Sequence, residues 1–371
     1  MEGDAEMATG FVTHELFFWY EHGSVALFGR RPGVEPHLHV DTSDAKRRVR
    51  NLFEVSGLLA GLRPLELRPA DDAALLRVHS RAYLERVHAL SEGQGGECGS
   101  WVPREGEAIL RLAAGAAIAA TDAVMDGQVA NAYALTRPAG HHAVRDRGMG
   151  FCLFNNAAVA AAHALARGDA ARVAIVDWDV HHGNGAQDIF WTDPRVLTIS
   201  LHQDGLYPLD SGGLQETGGG AGAGSNLNIP LPAGSGHEAY LAAVERAVVP
   251  ALLRHRPDLV ILASGYDACV FDPLGRMLAH SGTYRAMTAA VMRAADSVCG
   301  GRIVATHEGG YSPVYAPYCA LALVEALSGI DTGVQDPFPE VFGYPDQRLK
   351  PAQEDVIARA VALAEASVPS L

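Results

Sequence analysis

VAIVDWDVHHGN, residues 173–184, is the stretch of sequence that decides the fold. It begins as a short apolar run and ends in acids, imidazoles and a Gly-Asn turn. With four similar apolar runs it predicts strands at 132–136, 173–177, 196–201, 259–264 and 303–306. Segments of helical period predict helices at 44–59, 105–125, 155–166, 236–253, 283–298, 314–327 and 354–366. Short strands that alternate with helices are typical of an α/β protein with a mostly parallel sheet.

Length and composition indicate one globular domain. The chain has 371 residues, of which 48% are hydrophobic and 19% are charged, a balance typical of globular proteins. Because no internal repeat or Pro/Ser-rich linker divides it, we expect a single domain over 1–371 with long loops. Its core would lie at about 10–330, followed by a C-terminal helical extension at 331–371.

The formal net charge of −14 argues against nucleic acid and anionic membranes as partners and favours a cationic or neutral ligand. The five cysteines, at 98, 152, 269, 299 and 319, are widely spaced and never form a C-x-x-C pair. This pattern predicts neither a disulfide framework nor a thiolate zinc site, and is typical of a reducing cytoplasm. We expect no secretory signal, and no apolar stretch approaches the ~20 residues of a membrane span.

The glycine-rich stretch TGGGAGAG at 217–224 resembles a phosphate-binding loop only superficially. No Lys-Ser/Thr pair follows it, and it leads into 226–231 rather than into a helix. We therefore expect a plain loop there.

Polar side chains follow every predicted strand. In open parallel sheets, ligands bind outside the carboxyl ends of the strands, so these residues are expected to meet at one edge. Asp177, Asp179 and His181 alternate with apolar residues, and in an extended chain their side chains point the same way. Asp267 ends another strand. Two buried acids close together are costly without a cation, although a helix cap with a solvated loop is the alternative explanation.

Asp179, His181 and Asp267 together would supply one nitrogen and two carboxylate ligands and leave a position open, as a catalytic zinc site requires. Zinc polarises a carbonyl and acidifies water, so the site predicts hydrolysis. The pair His141-His142 would supply a base of near-neutral pKa, and Tyr311, after two glycines, could donate a hydrogen bond to an oxyanion. Taken alone, the His pair could be an ordinary loop and Tyr311 packing surface.

Taken together, these motifs resemble the histone deacetylase superfamily, specifically the bacterial histone deacetylase-like amidohydrolases that are similar to class II deacetylases. The similar segments occur in family order over roughly residues 14–330. They are RPAGHH (137–142), GFCLFNN (150–156), DWDVHHGN (177–184), SGYDA (264–268), DPLG (272–275) and EGGY (308–311).

The resemblance implies an arginase/deacetylase-like, three-layer α/β/α fold with a mostly parallel sheet and catalytic Zn²⁺ on the three residues named above. It implies that His142 is the general base and then acid, that His141 is its electrostatic partner oriented by Asp177, and that Tyr311 stabilises the tetrahedral intermediate. It also implies a structural potassium ion and a narrow substrate tunnel that suits an acyl-lysine stem. The potassium site would use carbonyls of Asp177, Asp179, His181, Ser200 and Leu201, and the tunnel would be lined by Gly150, Phe151, Tyr207, Leu274 and Gly309.

The sequence departs from many class I relatives at Asn184, where they have Asp beside the catalytic His. A neutral amide should leave that His less basic than a carboxylate would, and this choice is typical of class II-like members. The two-metal arginases need further carboxylates where this chain has Gly183 and Cys269, so ureohydrolase activity is the weaker interpretation.

Three hypotheses follow from the sequence. The first is a zinc-dependent amidohydrolase that acts on acylated lysine peptides or on acetylated amines, with acetylpolyamine hydrolysis as an alternative. The second is a non-catalytic acyl-amine binding protein, which is weaker because every ligand and catalytic residue is present. The third, a structural or nucleic-acid-associated protein, is set aside because no basic patch or recognition motif occurs. We also expect a cytoplasmic location and allow a homo-oligomer.

Overall fold

A central sheet of eight strands organises the described part of the protein. The structure is a computed structural model that describes residues 8–23, 35, 38–93, 95–97 and 100–366. Its strands are β1 Gly10–Val12, β2 Arg63–Pro64, β3 Gly96–Glu97, β4 Ser100–Trp101, β5 Asn131–Ala134, β6 Val173–Asp177, β7 Val196–Gln203, β8 Asn226–Leu231, β9 Leu259–Ser264 and β10 Ile303–His307. All pairs in the large sheet are parallel, in the order β2-β1-β5-β10-β9-β6-β7-β8, while β3 and β4 form a separate antiparallel pair.

Helices cover both faces of this sheet. They are α1 Asp44–Val55, α2 Leu58–Gly61, α3 Asp72–Leu75, α4 Arg81–Gly93, α5 Gly106–Met125, α6 Asn156–Arg167, α7 Asn184–Phe190, α8 His237–Ala243, α9 Val249–His255, α10 Ser281–Cys299, α11 Ala316–Ser328 and α12 Pro351–Ala366. A π-helical turn, Val244–Val248, joins α8 to α9. This is the predicted three-layer α/β/α arrangement.

The strands are buried on both faces, which explains why they read as continuous apolar runs. Along β6, Ala174 and Val176 belong to one hydrophobic cluster, with α1 and α8 to α12. Val173 and Ile175 point the other way and belong to a second cluster, with α4, α5 and α6. The sheet therefore separates two cores, and its polar residues are left for the strand ends.

The five predicted strands are present with boundaries shifted by at most two residues, but β1, β2, β3, β4 and β8 were not predicted. β1 and β2 are too short to show a hydrophobic period. β8, NLNIPL, contains two asparagines and Pro230, and lies at the sheet edge, where a proline is tolerated because one side of the strand needs no partner. The predicted helix 236–253 is interrupted by the π-helical turn.

The length and apolar composition of helix α5 contradict the expectation that no segment approaches a membrane span. Its 20 residues are long and apolar enough to cross a bilayer by length and composition, but most of that segment is buried inside the protein. It packs against α6, β5 and β1. A helix buried between layers of a protein is apolar for the same reason as a helix in a bilayer, because neither contacts water. Length and composition alone therefore do not distinguish the two.

Candidate metal centre and active site

The site lies where parallel strands β5, β6, β9 and β10 end side by side. Asp177, the last residue of β6, pairs in register with Ala263 of β9, so the chain leaving each strand enters the same space. Asp179 and His181 leave β6, and Asp267 leaves β9. The topology thus brings together motifs that are about 90 positions apart in the sequence.

Asp179, His181 and Asp267 form a candidate metal site, called the metal triad below. Among the described residues this is the group of His, Cys, Asp or Glu side chains that could hold a metal, with one ligand atom from each lying within 4.8 Å of the others. His181 Nδ1 is 2.9 Å from Asp179 Oδ1 and 3.0 Å from Asp267 Oδ2. All three residues are buried.

The triad fits a divalent zinc ion by its donor chemistry. Asp267 Oδ2 is buried and receives no hydrogen bond of acceptable geometry, although its other oxygen accepts from the backbone N–H of Val180 at 2.8 Å. Burial and the Asp179 carboxylate raise the pKa of Asp267 to about 7. A cation would satisfy the free oxygen and relieve this repulsion, and two carboxylates with one imidazole are a zinc ligand set.

The two histidines beside the triad have different partners. His141 Nδ1 is 2.9 Å from Asp177 Oδ2, and His142 Nδ1 is 2.7 Å from the Asn184 amide oxygen. Their ring centroids are 3.9 Å apart. An amide oxygen only accepts, so His142 donates from Nδ1 and keeps its lone pair on Nε2.

These partners separate the pKa values of the pair. Burial alone would lower the pKa of His141, but the Asp179 and Asp177 carboxylates raise it to about 10. Burial and the neighbouring charge of His141 hold the pKa of His142 well below its usual value. At neutral pH one imidazole of the pair is therefore charged and the other is free to accept a proton.

Tyr311 is held by its backbone. Its N–H donates to Asp272 Oδ2 at 2.7 Å, and the N–H of Ser312 donates to the same oxygen at 3.2 Å. Burial and the carboxylates of Asp267 and Asp179 raise the pKa of Tyr311 well above its ordinary value. The phenol thus stays protonated and remains a hydrogen-bond donor.

The predicted tunnel residues lie around these groups. Phe151 packs edge-on to Tyr311 with centroids 6.3 Å apart, and Tyr207 packs edge-on to His142 at 4.9 Å. Phe151 has φ +69°, a left-handed conformation that costs a bulky residue on the order of 1–3 kcal/mol. Leu274 donates its N–H to Asp272 Oδ1, so Leu274 and Tyr311 are bonded through their backbones to the same carboxylate.

Two positions in the site have no space for a side chain and therefore require glycine. A Cβ on Gly150 would lie 2.2 Å from the His142 ring, and one on Gly309 would lie 2.3 Å from Asp267 Oδ2. The Gly309 N–H donates to Asp179 Oδ2 at 2.8 Å. Any larger residue at either position would displace a metal ligand or the neutral histidine.

The residues predicted for potassium also lie close together. Asp177 and Ser200 are register partners across β6 and β7, and Leu201 follows Ser200 on β7. The Ser200 hydroxyl accepts from the N–H of Gly183 at 3.1 Å, just beyond His181 in the chain.

Two functional positions escaped assignment from the sequence. Glu308 is fully buried and accepts from the N–H groups of Gly140 and His141 at 2.7 and 3.1 Å, so it fixes the turn that carries the His pair. Asp272 positions Tyr311, as described above. Both acids lie inside the quoted motifs. The sequence signal that could have identified them is an acidic residue that directly follows a mostly apolar segment, where burial is expected.

Comparison with known proteins places these features in one family. Residues 39–327 match the model of the histone deacetylase domain. The chain is 50% identical over 335 residues to a histone deacetylase-like amidohydrolase of Pseudomonas aeruginosa, covering 89% of this chain and 88% of the relative. It is 34% identical over 337 residues to a probable deacetylase of Archaeoglobus fulgidus, covering 89% of each.

A solved structure agrees with the sequence comparison. The crystal structure of the HDA15 HD domain superposes with a TM-score of 0.84 at 30% identity and covers 96% of this chain and 94% of that one. The family, the fold class and the deacetylase class of hydrolase predicted from the sequence are confirmed. With its buried triad, paired histidines and parallel sheet, the chain belongs to the histone deacetylase family.

Proposed function

We propose that the protein is a zinc-dependent amidohydrolase that removes acetyl or related acyl groups from the Nε of lysine or from a similar amine. The observation that carries this proposal is the convergence of Asp179, His181 and Asp267 beside two histidines of opposite protonation preference. A hydrolase of this kind needs a Lewis acid and a base within reach of the same carbonyl.

Each side chain has a role that follows from its surroundings. Zinc held by the triad would polarise the substrate carbonyl and make water more acidic. His142, neutral and with its lone pair on Nε2, takes the proton from the attacking water and later passes it to the leaving amine. His141 is kept cationic by Asp177 and stabilises the negative charge that develops, and the Tyr311 phenol donates to the oxyanion.

The structural potassium ion is a separate proposal. Its support is that Asp177 and Ser200 are register partners and that Leu201 adjoins them, so several carbonyls near the metal triad could share one cation with the carbonyls of Asp179 and His181. Thermal denaturation in equal concentrations of potassium and sodium chloride tests it, and equal melting temperatures would contradict it.

Metal removal tests the catalytic proposal. Enzyme stripped by a chelator should lose hydrolysis of a fluorogenic acetyl-lysine amide and should recover it when zinc is added back. The variant Asp267→Asn should take up little zinc, measured by elemental analysis, and should stay inactive after reloading. Full activity in the stripped enzyme would overturn the proposal.

The substrate class is tested with a panel of acyl-lysine peptides set against acetylated polyamines. The net charge of −14 would attract cationic polyamines as well as basic peptides, which is why acetylpolyamine hydrolysis is the second candidate. If acylated amines bind but none is hydrolysed, the protein is an acyl-amine binding protein. A cytoplasmic location and a homo-oligomer are kept as proposals from the sequence.

A further inference from the structure

A cavity of about 200 Å³ lies at the end of the sheet opposite to the metal triad. It is lined by Leu197, the second residue of β7, by Asn226 and Leu227 at the start of β8, and by the ends of α9 and α12. Because the strands are parallel, residues that begin β7 and β8 lie at the edge away from the catalytic residues. The volume is below the ~300–1,000 Å³ of drug-sized sites, so a ligand there must be small.

Two arginines give this cavity a positive charge. Arg254, in the last turn of α9, has its Nε buried without a hydrogen-bond partner. Arg172 also lines the cavity, and its Nε donates to the Arg256 carbonyl at 3.3 Å. His255 completes this side of the wall; its pKa is lowered by burial, and its Nε2 bonds the Val173 carbonyl.

Among the described residues that line the cavity, none is acidic, although the whole chain carries a net charge of −14. Two carboxylates close to lining residues in the sequence are engaged elsewhere. Asp193 binds the Arg195 side chain, and Asp258 accepts the N–H groups of Ala171 and Arg172. Two guanidinium groups at a cavity without a described acidic lining residue are the arrangement expected for an anion site.

Another wall of the cavity is the glycine-rich loop, which is ordered by its own backbone hydrogen bonds. Gly222 and Gly224 donate their N–H groups to the carbonyls of Gly219 and Thr217, and Ser225 donates to Gly222. A Cβ on Gly219 would lie 2.3 Å from the Trp191 indole nitrogen. Since these amides are used inside the loop, recognition of an anion rests on the arginines and not on a backbone cradle.

The remainder of the lining is apolar. Leu197, Leu227 and Ala251 are each at most 6% exposed and belong to the same hydrophobic cluster, and Ala364 of α12 joins them. A fully hydrated ion such as phosphate would lose its water shell against this wall without compensation. An apolar body attached to a charged group would instead fill it.

We propose that this cavity binds a small carboxylate with an apolar body, of the size of benzoate or hexanoate, through Arg254 and Arg172. The carboxylate would pair with the guanidinium groups of Arg254 and Arg172, and the apolar body would pack on Leu197, Leu227 and Ala251. This site is separate from the catalytic centre and does not depend on the proposed function.

Calorimetric titration of the zinc-loaded protein with benzoate, hexanoate, neutral benzamide and inorganic phosphate tests the proposal. We expect one benzoate or hexanoate per chain, with a dissociation constant in the ~millimolar range or below, and much weaker binding of benzamide and phosphate. Arg254→Gln should weaken benzoate by roughly tenfold or more, because a charge-assisted hydrogen bond is lost. Ala223→Glu, at an exposed loop position of the lining, should do the same by adding a negative charge.

The control is Arg293→Gln, which removes an equally charged but exposed side chain and should leave binding unchanged. Benzoate binding that survives both Arg254→Gln and Ala223→Glu would lie outside this cavity and would overturn the proposal. Equal affinity for benzoate and benzamide, or the absence of binding, would overturn it as well. If Arg254→Gln fails to fold, Ala223→Glu decides the result.

Discussion

At the scale of single residues, the partner of each imidazole decides which one carries a proton. His141 faces a carboxylate and His142 faces an amide, and the two rings are too close for both to be charged at low cost. The same logic applies to Tyr311, whose neighbouring carboxylates keep the phenol protonated. Chemistry at this site is therefore set by side chains one contact away from the reacting groups.

The variant Tyr311→Phe tests the role of the phenol. We expect the turnover number to fall by roughly 10²- to 10³-fold, because an oxyanion donor is lost, while the melting temperature stays close to that of the wild type. Steady-state kinetics with an acetyl-lysine substrate provides the measurement. A turnover number within a factor of two or three of the wild type would show that Tyr311 is only packing surface.

His79 predicts a pH-dependent contribution to stability. Its Nδ1 bonds the Val144 carbonyl and its Nε2 accepts from the Asn155 N–H, so the ring must be neutral. Burial lowers the pKa of His79 from 6.5 to about 4. The unfolded chain therefore binds an extra proton below pH 6.5, and stability falls as the pH falls from there towards 4.

At pH 8 the wild type should have a higher free energy of unfolding than His79→Gln. We expect this difference to be smaller at pH 5 by about 2 kcal/mol, because each pKa unit corresponds to about 1.4 kcal/mol. Urea denaturation at the two pH values measures it. The matched variant His88→Gln, at an exposed site, should show no such narrowing. An advantage that grows on acidification would contradict the neutral assignment.

At the scale of elements, the carboxyl ends of the parallel strands position the candidate metal ligands, and glycines allow the strand ends to approach each other closely. Asp179 leaves β6 and meets the chain leaving β9 at Gly265. A Cβ on Gly265 would lie 2.2 Å from Asp179 Oδ2 and 2.6 Å from its Cα. The two strand ends can approach to bonding distance of one ion only because this side chain is missing.

Gly265→Ala should therefore weaken zinc binding at least tenfold by displacing the Asp179 carboxylate, since metal affinity depends on ligand geometry. Competition with a fluorescent zinc chelator measures the affinity. Gly343→Ala, where a Cβ would contact nothing within 4 Å, is the control. Unchanged zinc affinity in Gly265→Ala would show that the strand ends can separate freely.

At the scale of the whole molecule, two hydrophobic cores lie on the two faces of one sheet. The C-terminal helix α12 takes part in one of them, because Ile357 and Ala360 are fully buried there. Helix α12 therefore packs on the sheet that carries the active site. This arrangement bears on the prediction that the chain forms a single domain.

Ile357→Ala should lower the unfolding free energy by about 2–5 kcal/mol by leaving a cavity in the core, and activity and secondary structure should be lost in one transition. Thermal melts followed by circular dichroism and by residual activity provide the test. Arg359→Ala, on the exposed side of the same helix, should have little effect. Separate transitions for α12 and for activity would contradict the single domain.

The sequence alone determined the alternation of strands and helices, the family and the three residues of the candidate metal triad. Apolar runs buried on both faces have a strong local pattern, and the polar residues that end them collect at one edge of the sheet. It missed β1, β2 and β8, whose short or polar segments become strands only beside longer neighbours. The pairing of Asp177 with His141 was expected from the family resemblance, but only the tertiary structure decided which groups the other two acids support. Asp272 beneath Tyr311, Glu308 under the His pair and the free nitrogen of Arg254 depend on contacts between distant segments, and no local pattern encodes those contacts.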